Sequence, residues 1–139
     1  MDDKIDMQDI YDLFQKDHFA VENGMSLIKV EPGYAEAKMM IQQRHLNGYG
    51  TVMGGAIFTL ADYAFGAASN AKGFATVSSG AQISYFHPPR GAFLLAKASE
   101  VSGGRTLCTY NIDIFDGEGG LVARMTGSGF VKNQKAVQK

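Results

Sequence analysis

A chain of 139 residues with 19% charged side chains and a net charge of −1 can close one core without metals or disulfides, and it lacks the basic excess that holds nucleic acid. No apolar run reaches the length of a membrane span, and the opening MDDKIDMQDIY has neither the basic nor the apolar region of a secretory leader. Cys108 is the single cysteine, so no intrachain disulfide can form, and a cytoplasmic protein with Cys108 as a small buried filler is expected.

One domain over 1–139 is expected, with an N-terminal helical segment at 1–19 and a disordered polar tail at 133–139. Asp6 is a candidate N-cap for a short helix whose apolar edge is Ile10, Leu13 and Phe14, ending near Asp17. A hairpin follows, with strands around Met25 to Val30 and Tyr34 to Ile41 joined by the turn-forming run Glu31-Pro32-Gly33. From Gly55 onward, Ile57, Leu60, Ala61, Ala64, Phe65 and Ala68 fall on one stripe of a 3.6-residue period, which predicts a long helix. Its opposite arc mixes Phe58, Tyr63, Gly66 and Ala67 with Thr59, Asp62 and Ser69, so the helix should be covered on most sides. Four strands come next. Thr76 to Phe86 is stopped by Pro88-Pro89, Ala92 to Val101 is followed by a Gly103-Gly104 turn, and Thr106 to Phe115 shows the clearest alternation. The run Asp116 to Gly120 then turns the chain into Leu121 to Val131. This order excludes repeated βαβ units and points to an antiparallel sheet around one helix, an α+β architecture.

Gly54-Gly55 marks the helix start, where backbone N–H groups lack internal partners and carry partial positive charge. Asp62 lies farther along the same helix. Taken singly, a Gly-Gly pair reads as a turn and a helical Asp as a solvated surface residue. Together with Asn47-Gly48-Tyr49-Gly50, however, the stretch resembles the signature of the hotdog-fold acyl-CoA thioesterases of the phenylacetate-degradation (PaaI) type. That pattern, Asn-Gly-x-Gly-x-x-His-Gly-Gly-x-x-x-x-Leu-x-Asp, is matched by Asn47, Gly48, Gly50, Gly54, Gly55, Leu60 and Asp62. Met53 stands where the family has histidine. The likeness covers nearly the whole chain after Phe19.

The resemblance implies a sheet wrapped around the central helix and pairing of sheets edge to edge in a homodimer, with a dimer of dimers expected. It also implies hydrolysis of an acyl-CoA thioester without a cofactor, coenzyme A being part of the substrate. An ionised Asp62 can serve as nucleophile or as general base, and the residues leave that choice open. The N–H groups of Gly54 or Gly55 suit a developing oxyanion. Asn47 can hold the attacking water, orient the acid, or simply form its turn. Ser78 and Ser79 are candidates for positioning the reacting group; strand alternation allows one of them to serve. Met53 would fill the volume of the family's histidine, Phe58, Tyr63 and Phe86 suggest an apolar or aromatic acyl pocket, and Arg90 and Arg105 are candidate contacts to coenzyme A phosphates. His45 and His87 keep a hotdog hydratase or dehydratase open as an alternative, and an acyl-CoA-binding protein without catalysis is another. Three scattered histidines make no metal site.

Overall fold

The computed structural model describes residues 5–138. Its elements are α1 (Met7–Phe14), α2 (His18–Glu22), β1 (Met25–Glu31), β2 (Tyr34–Met40), a 3₁₀ turn (Gln43–His45), α3 (Gly54–Asn70), β3 (Phe74–Tyr85), β4 (Phe93–Gly103), β5 (Leu107–Asp116) and β6 (Leu121–Lys135). The strands form one antiparallel sheet in the order β1-β2-β4-β5-β6-β3, and α3 touches all six. This is the wrapped sheet of the hotdog fold.

Small residues let the helix lie close to the sheet. Ala35 and Ala37 on β2 pair with Ala98 and Ala96 on β4, and all four are fully buried under α3, whose Ala61, Ala64 and Ala68 are also inaccessible. Larger side chains fill the flank: Tyr110, Ile112 and Ile114 of β5 are buried in alternation, and the Phe65 ring meets Tyr110 at 5.3 Å between centroids. Gly33, at φ +79°, makes the β1–β2 turn possible and donates its N–H to the Ala68 carbonyl (3.1 Å), tying the hairpin to α3.

Two expectations are corrected. The first helix stops at Phe14 and not near Asp17, because the chain turns and restarts as α2. The Asp6 cap itself is present, its carboxylate accepting the Gln8 N–H at 2.9 Å. The segment from Asn133 is no disordered tail in the described part: β6 continues to Lys135, which pairs with Phe74, and the Ala136 N–H donates to the Gly73 carbonyl (2.9 Å). Residue 139, and residues 1–4 of the expected N-terminal segment, lie outside the described residues. β3 stands at the end of the sheet with β6 as its one neighbour, and most of its residues are exposed on both faces.

Candidate active site

Asp62 sits two turns into α3, held there by the buried stripe of Leu60, Ala61 and Phe65 on either side of it. Its carboxylate reaches the surface and lines a cavity of about 190 Å³ with Phe14, Asp17, Phe65, Gly66, Ser69, Asn70, Thr76 and Ser78. Although the residue is exposed in outline, surrounding protein strips enough water from the carboxyl to raise its pKa, and the negative charge of Asp17 pushes the same way. The result favours a carboxylate more basic than usual.

Asn70 fixes the strand that closes this cavity. Its amide group donates to the Gly66 carbonyl (2.9 Å) and the Thr76 carbonyl (3.2 Å) and accepts the Thr76 N–H (3.0 Å), clamping the end of α3 onto the start of β3. Ser78 is thereby set beside Asp62. Ser79 is not, because the register slips between Ser78 and Gly80 and leaves it as the unpaired residue of a bulge. Ser69 and Thr76 also border a larger cavity, about 580 Å³, whose rim carries Lys72, Arg105 and Lys132 and whose wall includes Cys108. Lys72 is held by Glu100, bonding both its oxygens at 2.9 and 2.7 Å, whereas among the described residues no carboxylate pairs with Arg105 or Lys132. Burial raises the Cys108 thiol, which therefore stays protonated.

The helix start lies elsewhere. The N–H groups of Gly54 and Gly55 donate to no group of the described chain, and the N-cap Met53 offers no side-chain acceptor. Tyr85, which sequence reasoning passed over in favour of Phe86, donates its hydroxyl to the Gly54 carbonyl (2.9 Å) and covers that glycine so closely that a Cβ would stand 3.1 Å from its ring. The only sequence signal was an aromatic residue at a strand end. Met53 is 55% exposed and curls over Gly55, its methyl 3.1 Å from where a Cβ would be. The Asn47 side-chain oxygen accepts the N–H groups of Tyr49 (2.9 Å) and Thr51 (3.2 Å), shaping the loop before α3, and its amide nitrogen has no partner among the described residues. Phe58 is half-buried against the core and Phe86 is exposed; with Arg90 they line neither cavity. Arg90 instead ties its backbone to Asp116, whose carboxylate accepts the Arg90, Glu118 and Gly120 N–H groups at 2.9 to 3.0 Å. The aromatic walls beside Asp62 are Phe14 and Phe65. Tyr63 is buried, with its hydroxyl donating to the Phe14 carbonyl (3.2 Å).

Neither histidine meets the acid. His45 is buried, with Nδ1 accepting the Gln42 N–H (2.9 Å) and Nε2 donating to the Asn23 carbonyl (2.7 Å), so both ring nitrogens are spent on the loop. His87 is placed by the Pro88 carbonyl (2.9 Å) near Gly120. The histidine–acid pair of a hydratase is therefore not assembled within one chain.

Residues 49–123 match the model of the Thioesterase superfamily. The chain is 31% identical over 121 residues to the acyl-coenzyme A thioesterase PaaI of Escherichia coli (strain K12), covering 86% of each sequence. The solved structure of E. coli PaaI, from the phenylacetic acid degradation operon, superposes with a TM-score of 0.87 at 29% identity over 92% of this chain and 94% of that one. A hypothetical thioesterase protein from Streptococcus pneumoniae TIGR4, solved with coenzyme A, gives 0.79 at 30% identity over 86% and 98%. No helix among the described residues is long and apolar enough to cross a membrane. Wrapped sheet, family match and full-length likeness agree: the chain belongs to the Thioesterase superfamily, as a hotdog thioesterase of the PaaI type.

Proposed function

We propose that this enzyme hydrolyses acyl-CoA thioesters with small or aromatic acyl groups, with Asp62 acting as nucleophile or general base at a site completed by a second copy of the chain. The observation that carries this reading is the opening of Asp62 onto a small cavity that shares Ser69 and Thr76 with the larger, basic-rimmed one. About 190 Å³ is enough for a small ring, since a dry cavity of about 150 Å³ admits benzene. Phe14 and Phe65 supply its aromatic walls, and the Arg105 and Lys132 cations suit the phosphates of coenzyme A. In one route the Asp62 carboxylate attacks the thioester carbon, the C–S bond breaks to release CoA thiolate, and water opens the resulting anhydride. In the other Asp62 takes a proton from water as its oxygen adds to the carbon; the oxyanion then collapses, the C–S bond breaks and the thiolate takes the proton.

The oxyanion donors must come from elsewhere. Gly54 and Asp62 are eight residues apart, about 12 Å along the helix axis, farther than an aspartate side chain reaches. The Tyr85 hydroxyl pins the helix start to the far end of β3, about 23 Å of strand from Ser78. β3 is an open edge of twelve residues with neither a charge nor a proline to protect it. Antiparallel pairing of β3 with β3 of a second copy sets the Tyr85 end of one beside the Ser78 end of the other. Gly54 and Gly55 then approach the partner's Asp62, bringing Asn47, Met53, Phe58, Phe86 and Arg90 with them, so that Asn47 can hold water and Arg90 joins the phosphate contacts. Two such sites form per dimer, and a dimer of dimers is the assembly to be sought by native mass. No cofactor takes part beyond the coenzyme A of the substrate.

Thiol release from a panel of short, medium and aromatic acyl-CoAs tests the activity; binding without release from any of them would favour a non-catalytic acyl-CoA-binding protein. The shared site is tested by mixing Asp62→Asn and Gly54→Pro chains after dissociation and reassociation. Proline suits the backbone of a first helical position and deletes the N–H, although the Tyr85 ring, 3.1 Å from the new Cβ, must shift to admit it. Hybrids should regain one intact site, and confirmed hybrids without activity would refute sharing.

A further inference from the structure

We propose that Asp17 is a specificity-determining residue of this enzyme: placed against the cavity of Asp62, it selects acyl groups without negative charge and rejects those ending in a carboxylate. The inference rests on the reading of Asp62 as the catalytic acid residue. Asp17 occupies the N-cap position of α2, where an aspartate ordinarily accepts an N–H of the first turn, yet its side chain makes no capping bond and, among the described residues, no ion pair. Only its backbone is used, its N–H donating to the Phe14 carbonyl (3.2 Å) and its carbonyl accepting the Val21 N–H (3.0 Å). Asp17 thus lines the cavity together with Phe14 and Asp62, near enough for its charge to act on the Asp62 carboxyl.

Among the described residues none forms an ion pair with Asp17, Lys16 beside it in the chain included. The α1–α2 turn brings Asp17, α1 brings Phe14, and β3 brings Thr76 and Ser78; no lysine, arginine or histidine lines the cavity. Of the neighbours along the chain, His18 faces Glu22 at 3.9 Å. Tyr63, on α3 beside Asp62, keeps its proton, its pKa pushed up to about 12 by burial and then by Asp17. Both carboxylates therefore act on whatever enters. A neutral acyl group meets the Phe14 and Phe65 rings, whereas a terminal carboxylate would have to shed water beside two like charges. Burial first and the Asp17 charge second raise the Asp62 pKa, which makes Asp62 a stronger base.

The experiment compares kcat/KM for butyryl-CoA and succinyl-CoA, matched in length and differing in terminal charge, in the wild type, Asp17→Asn and Asp17→Glu. The wild type should prefer butyryl-CoA. In Asp17→Asn the succinyl-to-butyryl ratio should rise about tenfold, the scale of one unit charge removed at several ångströms in a partly wet site. Asp17→Glu, which keeps the charge, should keep the wild-type ratio. The acid limb of the butyryl-CoA pH profile should also move to lower pH in Asp17→Asn, because removing the charge lowers the Asp62 pKa. A structural role alone would move neither the ratio nor the limb. An unchanged ratio with butyryl-CoA still turned over would overturn the inference while leaving Asp62 in place. Loss of turnover in Asp62→Asn is the separate check on the reading beneath it, and normal turnover there would overturn both.

Discussion

Gly66→Ala adds a methyl group in the middle of α3, where helix preference alone favours alanine over glycine by about 1 kcal/mol. The new Cβ would stand 2.9 Å from Phe14 Cε1 and 3.3 Å from its Cζ, inside contact distance, so the ring must turn or α1 must back away. Neither is easy. The ring meets Tyr63 edge-on at 6.0 Å and the Phe14 carbonyl accepts the Tyr63 hydroxyl, which places the cost in the upper part of the overpacking range, about 2–3 kcal/mol. Subtracting the helix preference leaves a net destabilisation of about 1–2 kcal/mol. In a Phe14→Ala background the clash is absent and only the preference remains, so the same substitution should stabilise by about 1 kcal/mol. The sign reverses. Urea unfolding of the four proteins at equal protomer concentration, followed by far-UV circular dichroism, measures the coupling. Shifts of the same sign and within about 0.5 kcal/mol of each other in both backgrounds would refute the packing argument.

Asp62→Asn keeps the shape and removes the anion, so kcat should fall by about 10²–10⁴ with little change in ligand affinity; near-normal turnover measured by thiol release would sink the mechanism. Met53→His should change kcat/KM by less than about tenfold, and a larger rise would show that a histidine at this position does chemical work. Asp116→Ala leaves three backbone N–H groups without their acceptor and should cost about 3 kcal/mol in denaturant unfolding at neutral pH. Burial opposes the Asp116 charge, but the three N–H groups outweigh it and hold the folded pKa below the ordinary value. The contribution is thus complete above the unfolded-state pKa, about 4, and is lost as pH falls through the folded one, so the gap between variant and wild type should narrow in acid. A gap that widens below pH 4 would contradict that sign.

Much of the architecture was legible where one face of an element is covered. β5 alternates from Cys108 to Asp116, and the α3 stripe is continuous, so both appear in the sequence with the correct period. β3 shows no such alternation because most of it is exposed; its end was marked by Pro88-Pro89 instead. α2 escaped notice because five residues carry no stripe and Asp17 does not cap them. The extension of β6 past Val131 depends on Phe74 and Gly73, far away in sequence, so a polar run could not announce it. At the candidate site, Asp62 was legible through the family pattern and Ser78 only as one of two strand serines, whereas Asp17 reaches the cavity only by tertiary folding across 45 positions of chain.

The position of β3 also bears on how a nascent chain must mature. β3 is synthesised before β4, β5 and β6, yet its sole neighbour in the sheet is β6. Throughout the synthesis of the two intervening strands, a segment of twelve uncharged residues waits on the ribosome with both of its hydrogen-bonding edges vacant. The native sheet therefore cannot grow strand by strand from the N-terminus; it is completed in one late step when the C-terminal strand slides between β5 and β3. A premature stop anywhere from residue 116 onward to the start of β6 removes that strand and strands β3 outside the sheet, so such fragments should engage chaperones or aggregate, and not persist as a smaller soluble domain.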